Sequence, residues 1–565
     1  MSGPDCRMTQ RGSVLLECPK FVDCPKRSHI LEGMIPVFAV APYSPKKSSC
    51  CSLSRVSVSL SMSVAVFPRS AGVLLHPTSL PGPYGIGDFG PDAIKWIDTL
   101  VAMRQTWWQI LPLGPTGAGN SPYQSFSAFA GNINLLSPEL LYREGLIHKS
   151  LLENTDFPHD RVEYRHVEPY KQYLLREAWN RFRGGKWRGA IRTAFEQYIT
   201  ENHDWLHDYA SFTAIRAALG GASLQDWPTE IALRESVALA SIEKELANEI
   251  LMHKFGQFLF DQHWQAVRRY ANDRGIKILG DAPIFIAADS ADVWANPERF
   301  LLDADRRPTA VAGVPPDYFS PTGQHWGNPL YNWEQMKQSG YSWWTARIRR
   351  LLQQCDAVRL DHFRGFAAAW HIPAGENNAL NGTWVPGPGR DLFDHLTASL
   401  GPLPLVAEDL GLITEDVHAL RKSLGLPGMR VLQFALSGPD NPYWPHNYDP
   451  QTVVYTGTHD NDTTNGWYAS LSDVNRWVLA EYLGRPVENP AWDLIRLAWA
   501  SVAVIAIAPL QDLLELGSEA RMNIPGIPEG NWQWRFRWGQ LSPDRQERLA
   551  NFTRIYNRLP TTASR

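Results

Sequence analysis

At 565 residues the chain exceeds an ordinary domain of about 100 to 200, yet it suits a single decorated (β/α)8 barrel, whose core alone takes about 250. Its hydrophobic content of 44% and charged content of 20% are those of a globular protein. A net charge of −4 offers nothing to a polyanion, and no apolar run approaches the roughly 20 residues of a membrane span, so neither nucleic acid nor a bilayer is expected as a partner.

Residues 1–62 differ in composition from the rest of the chain. Ser, Cys and Pro are scattered through them without useful periodicity, and no acidic residue occurs between Glu32 and Asp88. Two readings stand: an organelle transit peptide, or an extension read through from an early start, with Met62 the natural beginning. Either way the segment is expected to be poorly ordered. Five cysteines (Cys6, Cys18, Cys24, Cys50 and Cys51) fall within it, and only Cys355 lies beyond it. A body with one cysteine has no disulfide framework, which suits the cytoplasm, or a plastid if the extension is a transit peptide. Cys355 reads as a small buried hydrophobe.

From Ser70 onward, short apolar runs alternate with longer helical patterns, the arrangement of an α/β protein. Eight runs qualify: Gly72–Leu75, Trp107–Leu111, Ile276–Leu279, Ala357–Leu360, Leu403–Ala407, Arg430–Phe434, Val453–Thr456 and Val504–Ala508. Eight strands separated by helices predict a closed (β/α)8 TIM barrel over residues 63–565, with reactive residues at the C-terminal strand ends. Two insertions interrupt it. Residues 136–272 carry helical patterns at Tyr170–Arg183 and Ser241–Tyr270, and residues 289–338, rich in Pro, Gly, Tyr and Trp, read as a substrate-facing loop region. No C-terminal β-domain is expected after the eighth run.

Three of these runs end in an acid: Asp361, Glu408 and Asp460. Cleaving an acetal between sugars needs a nucleophile and a proton donor on opposite sides of one carbon, and two carboxyl groups supply both. The 23 tryptophans outnumber both Tyr (19) and Phe (22); flat rings stack on the C–H faces of sugars, although the plainer reading makes most of them core. Strand parity puts Arg359 and Asp361 on one side and Val358 and Leu360 on the other, so the apolar pair faces the helices and the charged pair the barrel. A guanidinium beside a carboxylate favours its charged form, as a nucleophile requires; a purely structural ion pair is the alternative.

Glu408 follows Val406 and Ala407 with no neighbouring base, where burial raises a carboxyl pKa and lets it carry a proton, while Asp409 points the other way. The alternative is that Glu408 caps a helix and Asp409 matters. His459-Asp460-Asn461 is costly to bury unless it binds something, with a simple turn as the other reading. Asp281 ends the third run in the same manner. No His or Cys pair has metal-ligand spacing and no acidic loop has the calcium pattern, so no metal or other cofactor is expected.

Asp after strand three, Arg-x-Asp after strand four, Glu after strand five and His-Asp after strand seven resemble the four signature segments of the α-amylase superfamily. The longer words Leu75–Gly87, Ser121–Asn132, Gly313–Gln324 and Arg521–Gly526 are similar to those of the 4-α-glucanotransferases of glycoside hydrolase family 77, also called amylomaltases or disproportionating enzymes. The resemblance covers about residues 70–558. It implies that Asp361 is the nucleophile forming a β-glucosyl-enzyme, that Glu408 is general acid and then base, and that Asp460 grips the distorted sugar. It further implies that Tyr123, Asp281, Arg359, His362 and His459 line the subsite under attack, with Ser121 also binding substrate. Tyr318 and Phe319 would arch over the glucan on a mobile loop, with Trp326 and Asn523 nearby. The expected partners are α-1,4-glucan donors and acceptors, and the expected state is a monomer or weak homo-oligomer. An α-amylase-type hydrolase is the nearest rival, disfavoured by the missing calcium loop and β-domain; a non-catalytic glucan-binding module would not need three carboxylates at strand ends.

Overall fold

Strands too apolar to face water on either side must be covered on both, and a parallel barrel wrapped in helices does this. In the computed structural model, which describes residues 67–153, 155–186, 189–316 and 320–560, eight parallel strands form one sheet: Ser70–Leu74, Trp107–Gln109, Lys277–Pro283, Ala357–Asp361, Leu405–Ala407, Gly428–Val431, Thr452–Tyr455 and Ile505–Pro509. The first strand pairs with both the second and the eighth, so the sheet curls round on itself. Between the fifth and sixth strands no ladder forms; Ala407 N–H donates to Pro427 O at 2.9 Å across that seam.

The side chains sort by parity. Leu279, Val406, Met429, Val453, Tyr455, Ile505 and Ile507 fill the barrel interior as one cluster. Their neighbours Ile278, Leu405, Val454 and Ala506 pack outward in the main core, with Val358 and Leu360. All eight expected runs are strands, but the sixth begins two residues early, at Gly428, and ends three residues early, at Val431. Leu432–Ser437 continues the apolar run as a 3-10 turn, in which Leu432, Gln433 and Ala435 are buried, so hydrophobicity outlasts the strand there.

Between the second and third strands lie the helices Tyr164–Arg181, Ala190–Glu201, His203–Ala218, Ser236–Glu245 and Ala247–Asn272. The last presses Phe255, Phe260 and Trp264 into the core, where Trp264 meets Trp108 edge to face at 6.1 Å. The loop-rich stretch after the third strand and the segment after the fourth together build an element that the sequence patterns do not predict. Gln324–Pro329, Ala310–Val314, Ala368–Pro373 and Thr383–Pro386 form an antiparallel sheet in that order. Gly313, Trp370 and Trp384 sit side by side across it.

At the other end, Arg558 is fully buried and donates to the carbonyls of Ser70, Ala498, Trp499, Ser501 and Ala503. It thereby caps the helix Pro490–Ala500 and ties it to the first strand. Cys355 is a free, buried thiol pushed up to about 12, chiefly by burial. Among the described residues no helix is long and apolar enough to cross a membrane. The expectations for residues 1–62, Tyr318 and Phe319 lie outside the described residues.

Candidate active site

The charged residues converge at the C-terminal ends of strands three, four, five and seven. Arg359, buried in the fourth strand, is the hub. Its Nη1 donates to both oxygens of Asp281 at 2.7 and 2.9 Å, its Nη2 lies 2.8 Å from Asp361 Oδ1, and its Nε donates to Met429 Sδ at 3.3 Å. The parity argument therefore holds, with the guanidinium inside the barrel, just below the mouth. Asp361 ends the strand with its side chain 27% exposed, in reach of a ligand. The Asp281 side chain is fully enclosed, so it acts on the site through Arg359 and through Tyr123, whose hydroxyl donates to Asp281 Oδ2 at 2.8 Å.

The chain turns sharply after Asp361. His362 adopts φ +50°, a left-handed conformation uncommon for a non-glycine residue, and its backbone N–H donates to Glu408 Oε2 at 2.7 Å. Leu410 N–H donates to Glu408 Oε1 at 2.7 Å. One residue therefore links the strand end bearing Asp361 to the Glu408 carboxyl. Burial raises the Glu408 pKa from 4.5 to about 7; Arg359 and the two backbone donors pull it down, the nearby Asp361 charge pushes it up, and burial prevails. The adjacent Asp409 does point away, toward Arg421, Arg430 and Met429 N–H. Glu408 caps no helix, since the next one starts at Glu415.

Asp460 accepts from the Asn523 amide at 2.7 Å through Oδ1 and lies 3.2 Å from His459 Nε2 through Oδ2. Its side chain is 43% exposed, yet desolvation in the crowded mouth still pushes its pKa up; His459 and Asn523 outweigh this and hold the carboxyl well below its usual range. Burial alone would lower the His459 pKa; Asp460 reverses this and raises it. The His459 ring stacks on Tyr123 at 5.0 Å and 13°, and Trp532 leans on both rings at 5.8 Å. On the opposite side Trp326 meets the His362 ring edge to face at 4.8 Å. The His362 ring is pushed down to about 4, mainly by burial, and its Nε2 has no hydrogen-bond partner among the described residues.

An accessible carboxylate paired with Arg359 and an enclosed carboxyl with a raised pKa stand beside a third carboxylate and aromatic rings, an arrangement suited to glycosidic-bond chemistry. The family model described as 4-alpha-glucanotransferase, glycoside hydrolase family 77, matches residues 75–541. The chain belongs to the 4-alpha-glucanotransferase family.

Relatives named 4-alpha-glucanotransferase agree. That of Thermus thermophilus is 48% identical over 503 residues, covering 87% of this chain and 99% of the relative. That of Synechocystis sp. is 50% identical, covering 87% and 98%. The chloroplastic/amyloplastic protein of Solanum tuberosum is 46% identical, covering 83% and 82%. Among solved structures, the amylomaltase from Streptococcus agalactiae in complex with acarbose superposes with a TM-score of 0.84 at 40% identity, covering 87% of this chain and 99% of that one. These relatives favour the transferase over the α-amylase-type hydrolase.

Of the residues expected in this 4-alpha-glucanotransferase site, Asp281, Arg359, Asp361, Glu408, His459, Asp460, Asn523 and Tyr123 form one connected network, with His362 and Trp326 beside it. Ser121 stands one step back: its hydroxyl accepts the Tyr123 N–H at 3.2 Å and shapes the turn that presents that ring. Sequence reasoning missed Met429, Trp532 and Arg521. Arg521, which donates to the backbone oxygen of Asp460 at 2.6 Å, lay in plain view as the first residue of the Arg521–Gly526 word. Trp532 carried no local signal, since its neighbours come from distant parts of the chain.

Proposed function

We propose that Asp361, Glu408 and Asp460 carry the 4-α-glucanotransferase reaction by a retaining double displacement. Asp361 attacks the anomeric carbon of an α-1,4-glucan as the bond to the leaving oxygen breaks, and Glu408 gives that oxygen its proton, leaving a β-glucosyl ester on Asp361. Glu408, now a carboxylate, takes the proton of an acceptor 4-hydroxyl. That oxygen attacks the same carbon, the ester breaks, and an α-1,4 bond is remade. Asp460, held ionised by His459 and Asn523, binds sugar hydroxyls and favours the cationic transition state. The observation that carries this reading is the contrast between Asp361, paired with Arg359 at 2.8 Å, and Glu408, enclosed with a pKa of about 7.

The substrates are α-1,4-glucan donors and acceptors, bound along Tyr123, Trp326 and His362, with Tyr318 and Phe319 also binding the glucan and limiting water at the ester. Residues 63–565 act as the catalytic unit, with insertions at 136–272 and 289–338, as a monomer or weak homo-oligomer. The site of action is the cytoplasm, or the plastid if residues 1–62 serve as a transit peptide. With maltotriose as sole substrate, the expected products are glucose and a ladder of longer maltooligosaccharides, with little gain in reducing ends because each bond broken is remade. Reducing ends rising in step with substrate loss, with no chain longer than three units, would make the enzyme a hydrolase.

The raised pKa of Glu408 gives a second expectation. The alkaline limb of kcat/KM should bend at about pH 7, where the free enzyme loses its acid. Stability follows with a definite sign. Between 4.5 and about 7 the folded protein keeps a proton that the unfolded chain releases, so this group's contribution is complete at low pH and is lost as pH rises through about 7. Glu408→Gln is neutral throughout and lacks that slope. Melting temperatures of both proteins from pH 5 to 8 should diverge in favour of the variant at pH 8; parallel curves would contradict the assignment.

A further inference from the structure

Seven seams of the barrel carry a parallel ladder. The eighth, between Leu405–Ala407 and Gly428–Val431, is held differently. Besides the Ala407–Pro427 bond, the buried carboxylate of Asp409 reaches across and accepts Met429 N–H through Oδ1 at 2.7 Å. Arg430 Nη1 lies 3.4 Å from the same oxygen and donates to Met429 O at 2.5 Å, while Arg421 Nε sits 3.2 Å from Oδ2 as an ion pair without hydrogen-bond alignment. A Cβ on Gly428 would lie 2.6 Å from that carboxylate, so a glycine is what lets Asp409 come this close. Both backbone polar groups of Met429 are therefore tied down at the one seam that strand pairing does not fix.

The Met429 side chain is fully buried in the barrel interior, and its sulfur is the acceptor for Arg359 Nε. A guanidinium presents its donors in a rigid fork, so groups held at three of its nitrogens determine its rotation as well as its position. Here Met429 Sδ accepts at Nε and Asp281 at Nη1, while Asp361 lies 2.8 Å from Nη2 as an ion pair. We infer that Met429 is a positioning residue for the transfer reaction: its sulfur sets the rotation of Arg359 that presents Nη2 to Asp361, and the Asp409 clamp holds that sulfur in register with the strand bearing Glu408. A thioether is a weak acceptor, so its task is orientation, and its loss should appear in turnover before it appears in folding.

The inference rests on the proposed role of Asp361, and the test separates the two. Met429→Leu keeps the volume and apolar character but removes the acceptor. On maltotriose, kcat should fall about tenfold, since small misplacements of reacting groups are costly in rate, with KM within about twofold and the melting temperature within a few degrees of wild type. Unchanged kcat would overturn the inference. So would a fall in kcat matched by a lower melting temperature and a higher KM, because that pattern is lost packing. Asp361→Asn is assayed alongside. If it stays active, the catalytic assignment fails. If it is inactive while Met429→Leu turns over like wild type, only the positioning role is lost.

Discussion

Asp361→Asn and Glu408→Gln each lose at least about a thousandfold in turnover while melting close to wild type. The amide introduced by Asp361→Asn keeps an oxygen beside Arg359 Nη2, which lies 2.8 Å from the present carboxylate, and leaves the other contacts of the hub intact, but an amide oxygen cannot form and release the glucosyl ester. In Glu408→Gln the new amide offers one acceptor to the two backbone donors at 2.7 Å and has no acidic proton to give a leaving sugar. The resulting local mismatch is set against relief from burying a charge. Each variant is measured on maltotriose and by thermal unfolding. More than a tenth of wild-type turnover in either would remove that residue from the mechanism.

Arg359→Leu is expected to fail in both respects, losing turnover and about 3 to 5 kcal/mol of stability, the usual cost of taking one partner from a buried ion pair. The Asp281 side chain has no exposure at all, and Arg359, ahead of His459, is the main cation opposing the burial penalty on it. With the guanidinium gone, the Asp281 pKa climbs further. A carboxyl that holds its proton more tightly when folded loses stability as pH rises. The deficit should therefore be larger at pH 8 than at pH 5, as urea unfolding at the two pH values would register. A variant as stable as wild type at pH 8 would show that Asp281 does not depend on this cation.

The strands were legible because burial on both faces leaves continuous Val, Ile, Leu and Ala runs, as in Ile505–Pro509, which differ sharply from the helices around them. The sixth strand was misplaced because apolar residues continue into the turn at Leu432–Ser437. The antiparallel sheet was invisible for the opposite reason: Gln324–Pro329 and Ala368–Pro373 carry Gly, Pro, His and Trp without clear alternation. Within the site, the parity of Arg359 and Asp361 comes from the period of a strand and needed no tertiary information. The stack of Tyr123 on His459 joins residues from distant parts of the chain, and no local pattern announces it. The sulfur beside Arg359 was hidden likewise, since a methionine in a barrel interior looks like any other core residue.

The pairing of the first strand with the last also dictates when this protein can finish folding. Ser70 and Arg558, joined at 3.0 Å, are 488 residues apart in sequence. At about 5 to 20 residues per second, roughly 25 to 100 s of synthesis separate them. Until Ile505–Pro509 is made, late in that interval, the first strand has one hydrogen-bonding edge without its partner, the kind of edge that recruits other chains. Helices and half-barrels can gather on the ribosome, but closure must wait for strand eight, and the latch at Arg558 is among the last pieces delivered.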